Sequence, residues 1–144
     1  MKVNNRKARF NYEIGEKCEA GIELKGPEVK SAKLGQADLG NAFIKILASK
    51  FKNQKEAWVY NLHIFPYKYA DNTNYDPARP RKLLLHQKEI VQLLSKMKQS
   101  RRLLVPTAMY TKSGLVKVEV ALARGKKKYE KREAIKKRDE QRGG

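Results

Sequence analysis

Three carboxylates near the start of the chain, Glu19, Glu23 and Glu28, are the first residues to test for catalytic chemistry. General acid–base catalysis needs carboxyl groups in unlike surroundings, so that one holds a proton while another accepts one. Each of the three has a lysine two positions away in the sequence, namely Lys17, Lys25 and Lys30. This spacing favours ion-paired carboxylates on the surface, and it predicts no acid–base site.

The residues needed for nucleophilic, metal or nucleotide chemistry are too few or wrongly spaced. The chain has one cysteine, Cys18, and two histidines, His63 and His86, which argues against a Cys/His metal cluster and a catalytic triad. The dipeptide Gly125-Lys126 lacks the upstream glycine and the following Ser or Thr of a phosphate-binding P-loop. We therefore predict a protein that is not an enzyme and that needs neither a metal nor a cofactor.

Positive charge is the dominant feature of the composition. The 144 residues include 33 Lys+Arg against 15 Asp+Glu, a formal net charge of +18, which predicts a polyanionic partner: RNA, DNA or an anionic membrane. Hydrophobic residues make 40% of the sequence, enough for a packed core in one domain. No apolar run approaches the roughly 20 residues that cross a bilayer, and the N-terminus does not resemble a signal peptide, so we expect a cytoplasmic protein that does not span a membrane.

Alternation of apolar and polar residues predicts a mainly β chain. The clearest strand has one buried face, made by Val116, Val118, Val120 and Leu122. The turn signal before it makes residues 103–111 the hairpin partner, with Pro106 at an edge or bulge. Further strands are predicted at residues 10–14, 20–24 and 42–47, and along Trp58, Tyr60, Leu62 and Ile64, with Trp58 in the core.

Helices and loops complete the predicted fold. An apolar stripe predicts a helix over residues 87–98, Pro27 favours a short helix at 29–33, and residues 65–82 read as a long loop. These elements favour a closed antiparallel barrel of about six strands with two to three peripheral helices, of the oligonucleotide-binding kind, in residues 1–123. A split αβ RNA-binding sheet is the alternative. Residues 124–144 form a basic tail that we expect to be disordered when free.

Four blocks of sequence are more specific than the composition. Residues 18–31 read CEAGIELKGPEVKS, close to the signature E-A-G-I-x-L-x-G-x-E-V-K-S. The other blocks are NRKAR at residues 5–9, DPARPRKLLL at 76–85, and LARGKK at 122–127 followed by YEKR at 129–132. In this order the blocks resemble the SsrA-binding protein family, also called small protein B, and the resemblance covers residues 5–140.

The resemblance implies a function without catalysis. Members of this family bind the tRNA-like domain of transfer-messenger RNA, and they support its alanylation and delivery, which involve alanyl-tRNA synthetase and elongation factor Tu. The complex enters a stalled ribosome for trans-translation, which tags the nascent chain and releases the ribosome. The resemblance also implies an oligonucleotide-binding barrel, and we expect a monomer.

The same resemblance assigns residues to the two RNA partners. Contacts to the tRNA-like domain are expected from Asn5, Arg6, Lys7, Arg9, Glu19, Lys30, Ser31, Lys33, Arg79, Arg81, Lys82 and Leu84. Contacts to the ribosomal decoding centre and messenger channel are expected from Lys126, Lys127, Lys128, Tyr129, Lys131, Arg132, Lys136, Lys137 and Arg138. The basic side chains would contact phosphates, whereas Asn5 and Glu19 would supply selectivity.

Other interpretations stay open at this point. Asn5 also fits a loop cap, Glu19 a surface ion pair and Leu84 a core position. Tyr12, Tyr67 and Tyr69 could stack on bases, although core or edge packing is favoured for each. At the level of function, the runner-up is a structural ribosomal protein with a basic extension. A membrane-surface protein and an enzyme acting on RNA are less favoured.

Overall fold

A computed structural model of the chain describes residues 1–51 and 53–126. Within them lie nine strands and three helices. In chain order they are β1 (Lys2–Asn4), α1 (Arg6–Asn11), β2 (Tyr12–Ile22), α2 (Gly26–Lys33), β3 (Ala37–Asp38), β4 (Phe43–Ala48), β5 (Lys55–Tyr60), β6 (His63–Ile64), β7 (Arg81–Leu84), α3 (Gln87–Ser100), β8 (Leu103–Lys112) and β9 (Leu115–Gly125).

Six of these strands close into a ring. The order around it is β8, β4, β5, β7, β2 and β9, and β9 pairs with β8 to complete it. Every pairing in the ring is antiparallel. The strand β1 adds to β8, and β3 and β6 form a separate small sheet. The prediction of a closed antiparallel barrel of about six strands with two to three helices is confirmed.

The β8–β9 hairpin forms as the sequence predicted, with a tight turn between the strands and an irregularity next to Pro106. Its two-residue turn consists of Ser113 and Gly114, both at positive φ, and such turns match the twist of the paired strands. The pairing shifts register between Pro106 and Ala108. Proline has no N–H for the ladder, so an irregularity at this position costs the hairpin little.

The core lies inside the ring and under one helix. Alternate residues of β9 point inward and are buried, as predicted: Val116, Val118, Val120 and Leu122. The buried side chains Ile90 and Leu93 of α3 lie on the stripe that predicted this helix, and α3 contacts β5. Burial of such side chains stabilises the fold by about 1.5–3 kcal/mol each.

The predicted inward face of β5 is wrong. Ala57 and Val59 are buried, whereas Trp58 is half-buried on the outer face of the ring. The apparent alternation from Trp58 to Ile64 is interrupted at Asn61, which has φ 59° and ends the strand. The backbone changes direction there, so the residues on either side of Asn61 do not share a face.

The N-terminal strands also differ from the prediction. Residues 10–14 and 20–24 do not form separate strands: Phe10 lies in α1, and a single strand, β2, extends from Tyr12 to Ile22. Its pairing with β9 continues past an irregularity between Ile14 and Lys17. Because β2 pairs with β9 along most of its length, it forms one strand where the apolar pattern predicted two.

Both predicted helices are present, and both are longer than predicted. The helix α2 begins at Gly26 with Pro27 in its first turn. Backbone N–H groups in a first turn have no acceptor within the helix, so proline, which lacks an N–H, is tolerated there. The helix α3 begins after His86, whose backbone N–H donates to the Glu89 carboxylate at 3.2 Å. The long loop is slightly shorter than predicted, because β7 begins at Arg81.

The barrel extends two residues past its predicted end at 123. Arg124 and Gly125 continue β9, and the Arg124 guanidinium donates to the Glu13 carboxylate, with Nε at 3.0 Å from Oε2. The prediction that the tail is disordered when free falls on residues 127–144, which lie outside the described residues. The division of the chain into a barrel domain and a tail stays a prediction.

Candidate nucleic-acid interface

The outer faces of four strands bring together two of the predicted contact residues, Glu19 and Leu84. In the ladder, Gly21 of β2 lies opposite Lys117 of β9 on one side and Leu84 of β7 on the other. Lys117 in turn lies opposite Tyr110 of β8. We call this surface the Glu19 patch, and it consists of Glu19, Gly21, Leu84, Tyr110, Lys112 and Lys117.

Glu19 is an exposed carboxylate held at a fixed position in this patch. The Tyr110 hydroxyl donates a hydrogen bond to Glu19 Oε2, and Lys112 Nζ lies 3.4 Å from the same oxygen. The hydrogen bond from Tyr110, together with the nearby Lys112 and Lys117 charges, lowers the pKa of Glu19. Desolvation and the Glu19 carboxylate raise the pKa of Tyr110 to about 12. Glu19 is therefore an anionic acceptor at neutral pH, and Tyr110 is a neutral donor.

Leu84 does not lie in the core, which settles the alternative left open by the sequence. It is 54% exposed, and it lies directly over Gly21, where an added Cβ would meet Leu84 Cβ at 3.1 Å. A groove of about 160 Å³ begins beside it, with Leu24, Val29 and Leu115 among its lining residues. An apolar ledge beside a fixed acceptor is suited to a ribose or base whose polar edge meets Glu19.

Sequence reasoning missed Tyr110, Lys112 and Lys117 as members of this surface. Tyr110 is 91 residues from Glu19 in the chain, so no local pattern connects them. The available signal was the predicted hairpin: outward positions alternate with the buried valines of β9, which places Lys117 and its neighbour Tyr110 on the outer face.

The cations of α1 are exposed, as a phosphate-binding role requires. Arg6, Lys7 and Arg9 all reach solvent, and Lys7 Nζ donates to Asn41 Oδ1 at 2.6 Å. Asn5 differs from them, because it is buried and its side chain is fully engaged. It accepts from the Ala8 N–H and donates to the carbonyl oxygens of Leu39 and Pro106. The predicted direct RNA contact by Asn5 does not fit this arrangement; Asn5 is the N-cap of α1.

The helix α2 divides its predicted contacts between surface and interior. Lys30 and Lys33 are exposed, but Ser31 is buried, and its hydroxyl makes no hydrogen bond with a described residue. Because α2 packs this face against the ring, the Ser31 side chain does not reach the surface in this structure. The contact between Ser31 and RNA stays a prediction.

Arg79 and Arg81 serve a buried carboxylate rather than an exposed phosphate site. Arg81 is 0% exposed, and its Nε and Nη2 donate to Glu28 Oε2 at 2.8 and 2.5 Å. Arg79 is partly exposed, and its Nη2 donates to Glu28 Oε1 at 2.5 Å. Glu28 is itself 2% exposed, which contradicts the prediction of a surface carboxylate. Both guanidinium groups are paired with Glu28, so a phosphate would have to compete with this ion pair; the contacts by Arg79 and Arg81 stay predictions.

Lys82 and Lys126 remain available at the surface. Lys82 lies beside Leu84 on β7, with Nζ at 3.6 Å from Glu56 Oε1. Lys126 is the one predicted tail contact within the described residues, and the other eight lie outside them. Its backbone N–H donates to Asn11 O at 2.9 Å, and its Nζ donates to Arg9 O at 3.2 Å. The chain therefore leaves the barrel next to the cations of α1.

Metal clusters and membrane-spanning helices are both absent from the part of the chain that the structure describes. Within residues 1–51 and 53–126, no three His, Cys, Asp or Glu side chains cluster in a way that could hold a metal ion. The helices of the same residues are all too short or too polar to cross a membrane.

Basic residues on the outside of a small closed antiparallel ring define the class of protein, a nucleic-acid-binding β-barrel. Comparison with known proteins then gives the family. The family described as SmpB protein matches residues 2–143, so the chain belongs to the SmpB family.

Close relatives and a solved structure agree with this membership. The chain is 52% identical over 136 residues to an SsrA-binding protein of Geotalea uraniireducens, covering 94% of this chain and 86% of the relative. It is 49% identical over 137 residues to an SsrA-binding protein of Persephonella marina, covering 95% and 86%. A chain from the structure "tmRNA-SmpB: a journey to the center of the bacterial ribosome" is 44% identical, with a TM-score of 0.69 over 93% of this chain and 94% of that chain.

Proposed function

We propose that this chain binds the tRNA-like domain of transfer-messenger RNA and delivers that RNA to stalled ribosomes for trans-translation. The observation that carries the proposal is the Glu19 patch. It combines a fixed anionic acceptor, the apolar side chain of Leu84 and the cations Lys112 and Lys117 on one outer face. Membership of the SmpB family and the likeness to a tmRNA-SmpB structure support it.

The chemistry divides between affinity and selectivity. Phosphate contacts by exposed lysines and arginines give strength without selecting a sequence. A carboxylate repels phosphates, so Glu19 is useful only where a base amino group or ribose hydroxyl meets it. An RNA that lacks such a donor at this position places no partner on the carboxylate and brings phosphates near its negative charge, so it binds less tightly. Glu19 thereby discriminates between RNAs that the surrounding cations would all attract.

The tail and the remaining partners belong to the same proposal. Residues 126–144 contact the decoding centre and the empty messenger channel, and a channel that is still filled with messenger excludes them. Alanyl-tRNA synthetase and elongation factor Tu act through the bound RNA, and the protein binds as a monomer in the cytoplasm. It positions RNA and catalyses no reaction.

A gel-shift comparison of three RNAs tests the proposal. At physiological salt, wild-type protein is expected to bind the isolated tRNA-like domain more tightly than an ordinary tRNA or an unrelated RNA. Glu19→Gln should lose roughly tenfold in affinity for the tRNA-like domain, although it raises the net charge. The matched control is Glu16→Gln, which neutralises an exposed, ion-paired carboxylate on the same strand. Equal affinity of the wild type for all three RNAs would contradict the proposal and favour a generic ribosomal RNA-binding protein. Tighter binding by Glu19→Gln would show that Glu19 is only a surface ion pair.

Removal of residues 127–144 tests the role of the tail. The shortened protein is expected to keep its preference for the tRNA-like domain, because the Glu19 patch is intact, but to lose tagging on stalled ribosomes in reconstituted translation. A variant with the same tail residues in scrambled order keeps the charge and should also fail. Full tagging by either variant would refute the tail mechanism.

A further inference from the structure

Strand β6 and the loop that follows it carry aromatic side chains that lie outside the core of the barrel. Tyr69 is 78% exposed and Phe65 is 43% exposed, while His63 and Tyr67 are half-buried. We call these four residues the aromatic strip. Large exposed apolar groups that lie together commonly mark a binding surface, whereas single ones need no explanation.

The rings of the strip lie in two pairs, and each tyrosine ring has a lysine beside it. The centroids of Tyr67 and Tyr69 are 5.6 Å apart at 70°, and those of His63 and Phe65 are 4.8 Å apart. Lys30 Nζ lies 5.4 Å from the Tyr67 centroid, and Lys68 Nζ lies 5.5 Å from that of Tyr69. Each tyrosine therefore pairs an aromatic surface with a positive charge.

Hydrogen bonds hold the strip in place before any ligand arrives. The Phe65 N–H donates to Gln36 O at 3.0 Å, and the Asn72 amide donates to Tyr67 O at 3.0 Å. Further along the loop, the Tyr75 hydroxyl donates to Ile64 O at 2.8 Å, and Arg81 donates to Pro77 O at 3.0 Å. A loop fixed in this way loses little conformational entropy on binding.

We propose that the aromatic strip binds unpaired nucleotides of RNA, with bases stacked on Tyr67 and Tyr69 and phosphates near Lys30 and Lys68. Stacking on aromatic rings combined with nearby cations is the usual means of binding single strands, and it tolerates any base. The loop also holds two acids, Asp71 and Asp76, whose carboxylates accept from backbone N–H groups of their own turns. The strip adds a sequence-tolerant site to the proposed function, which recognises a folded domain through the Glu19 patch.

Binding of a fluorescein-labelled ten-nucleotide single-stranded uridine RNA to the full chain tests this proposal. Tyr67→Leu with Tyr69→Leu removes both stacking surfaces and should weaken binding roughly tenfold or more. Tyr67→Phe with Tyr69→Phe keeps the rings and should bind within about twofold of wild type. Phe51→Leu is the matched control, because Phe51 is an exposed aromatic outside the strip. With 5-iodouridine in the same RNA, photocrosslinks are expected at residues 65–69.

Three results would overturn the proposal. The first is binding of the double leucine variant as tight as that of the wild type, which would assign the strip to a protein ligand instead. The second is a loss in Phe51→Leu as large as in the double leucine variant. The third is crosslinks confined to residues outside 65–69. Thermal melts and Trp58 fluorescence check that each variant is folded. The same variants are assayed on the tRNA-like domain, and the Glu19→Gln protein is assayed on the uridine RNA. If the tRNA-like domain is not preferred over other RNAs, the proposed function fails. If the uridine RNA binds equally well without the two tyrosine rings, only the proposal for the strip fails.

Discussion

Replacing Glu28 with glutamine is expected to lower the free energy of unfolding by about 3–5 kcal/mol, because it leaves a buried guanidinium without its counter-charge. Arg81 is fully buried, and both of its donors to Glu28 would then meet a neutral amide. Many single substitutions cost about 1 kcal/mol, so this loss would mark Glu28 as a structural centre of the fold.

The position of Glu28 explains the size of the effect. Its carboxylate also accepts from the Lys25 N–H at 2.9 Å, which closes the first turn of α2. Through Arg79 and Arg81 it connects α2 to the end of the loop and the start of β7, and Arg81 reaches Leu62 O at 2.6 Å. The Glu28 carboxylate and its two arginines thus connect α2, the end of the loop, the start of β7 and the backbone at Leu62.

Acid should weaken the same interaction. Burial alone would raise the pKa of Glu28, but the hydrogen bonds from Arg79, Lys25 and Arg81 lower it from 4.5 to about 2. A depressed pKa means that the stabilisation is fully present above pH 4.5 and is lost as the pH falls towards 2. The amount lost over that window is about 3 kcal/mol, since lowering a pKa by one pH unit corresponds to about 1.4 kcal/mol.

Urea unfolding followed by Trp58 fluorescence measures both effects. The matched control is Glu23→Gln, which removes an exposed carboxylate and should change stability by less than about 0.5 kcal/mol. Between pH 4.5 and 2 the stability of the Glu28→Gln protein should also fall less than that of the wild type, and the fall that remains comes from other carboxylates with a lowered pKa, such as Glu19. A cost below about 1 kcal/mol, or an unchanged pH profile in the variant, would contradict the structural role.

The sequence predicted the parts of the fold that depend on neighbours in the chain. The β8–β9 hairpin followed from alternating valines and a turn, and α3 followed from an apolar stripe. The family motifs identified Glu19 and Leu84, and the structure places both on the outer face. In each case the information lies within a dozen or so residues, which is the range over which backbone periodicity acts.

The burial of charged and polar side chains is harder to predict, because it depends on residues far apart in the chain. Glu28 and Arg81 are 53 residues apart, and Asn5 reaches Pro106 across 101 residues. In a basic sequence, charged and polar residues are readily predicted to lie at the surface and contact RNA. The residue types alone do not distinguish a buried ion pair from an exposed one. The sequence misplaces Trp58 for a related reason, since only the backbone at Asn61 shows where the alternation stops.

Asn5 has a structural role in this fold besides its predicted RNA contact, and Asn5→Ala is expected to lower the free energy of unfolding by about 3 kcal/mol. The variant loses the cap of α1, which contributes about 1 kcal/mol. It also removes the amide donor to the buried carbonyls of Leu39 and Pro106, at a further cost of about 1–3 kcal/mol, although Leu39 O keeps its hydrogen bond from the Ala42 N–H. Asn4→Ala is the matched control, because Asn4 is the exposed neighbour, and its unfolding free energy should stay near wild type.

RNA affinity then decides between the two roles of Asn5. If Asn5 acts by capping α1 and fixing it to β8, the folded fraction of Asn5→Ala should bind the tRNA-like domain within about threefold of wild type. That measurement is made at low temperature, where thermal melts show the variant to be folded, and the Glu19→Gln protein serves as the reference for a lost RNA contact. A loss of about tenfold or more by fully folded Asn5→Ala, with Arg6, Lys7 and Arg9 still present, would show that the buried amide turns outward to the RNA on binding.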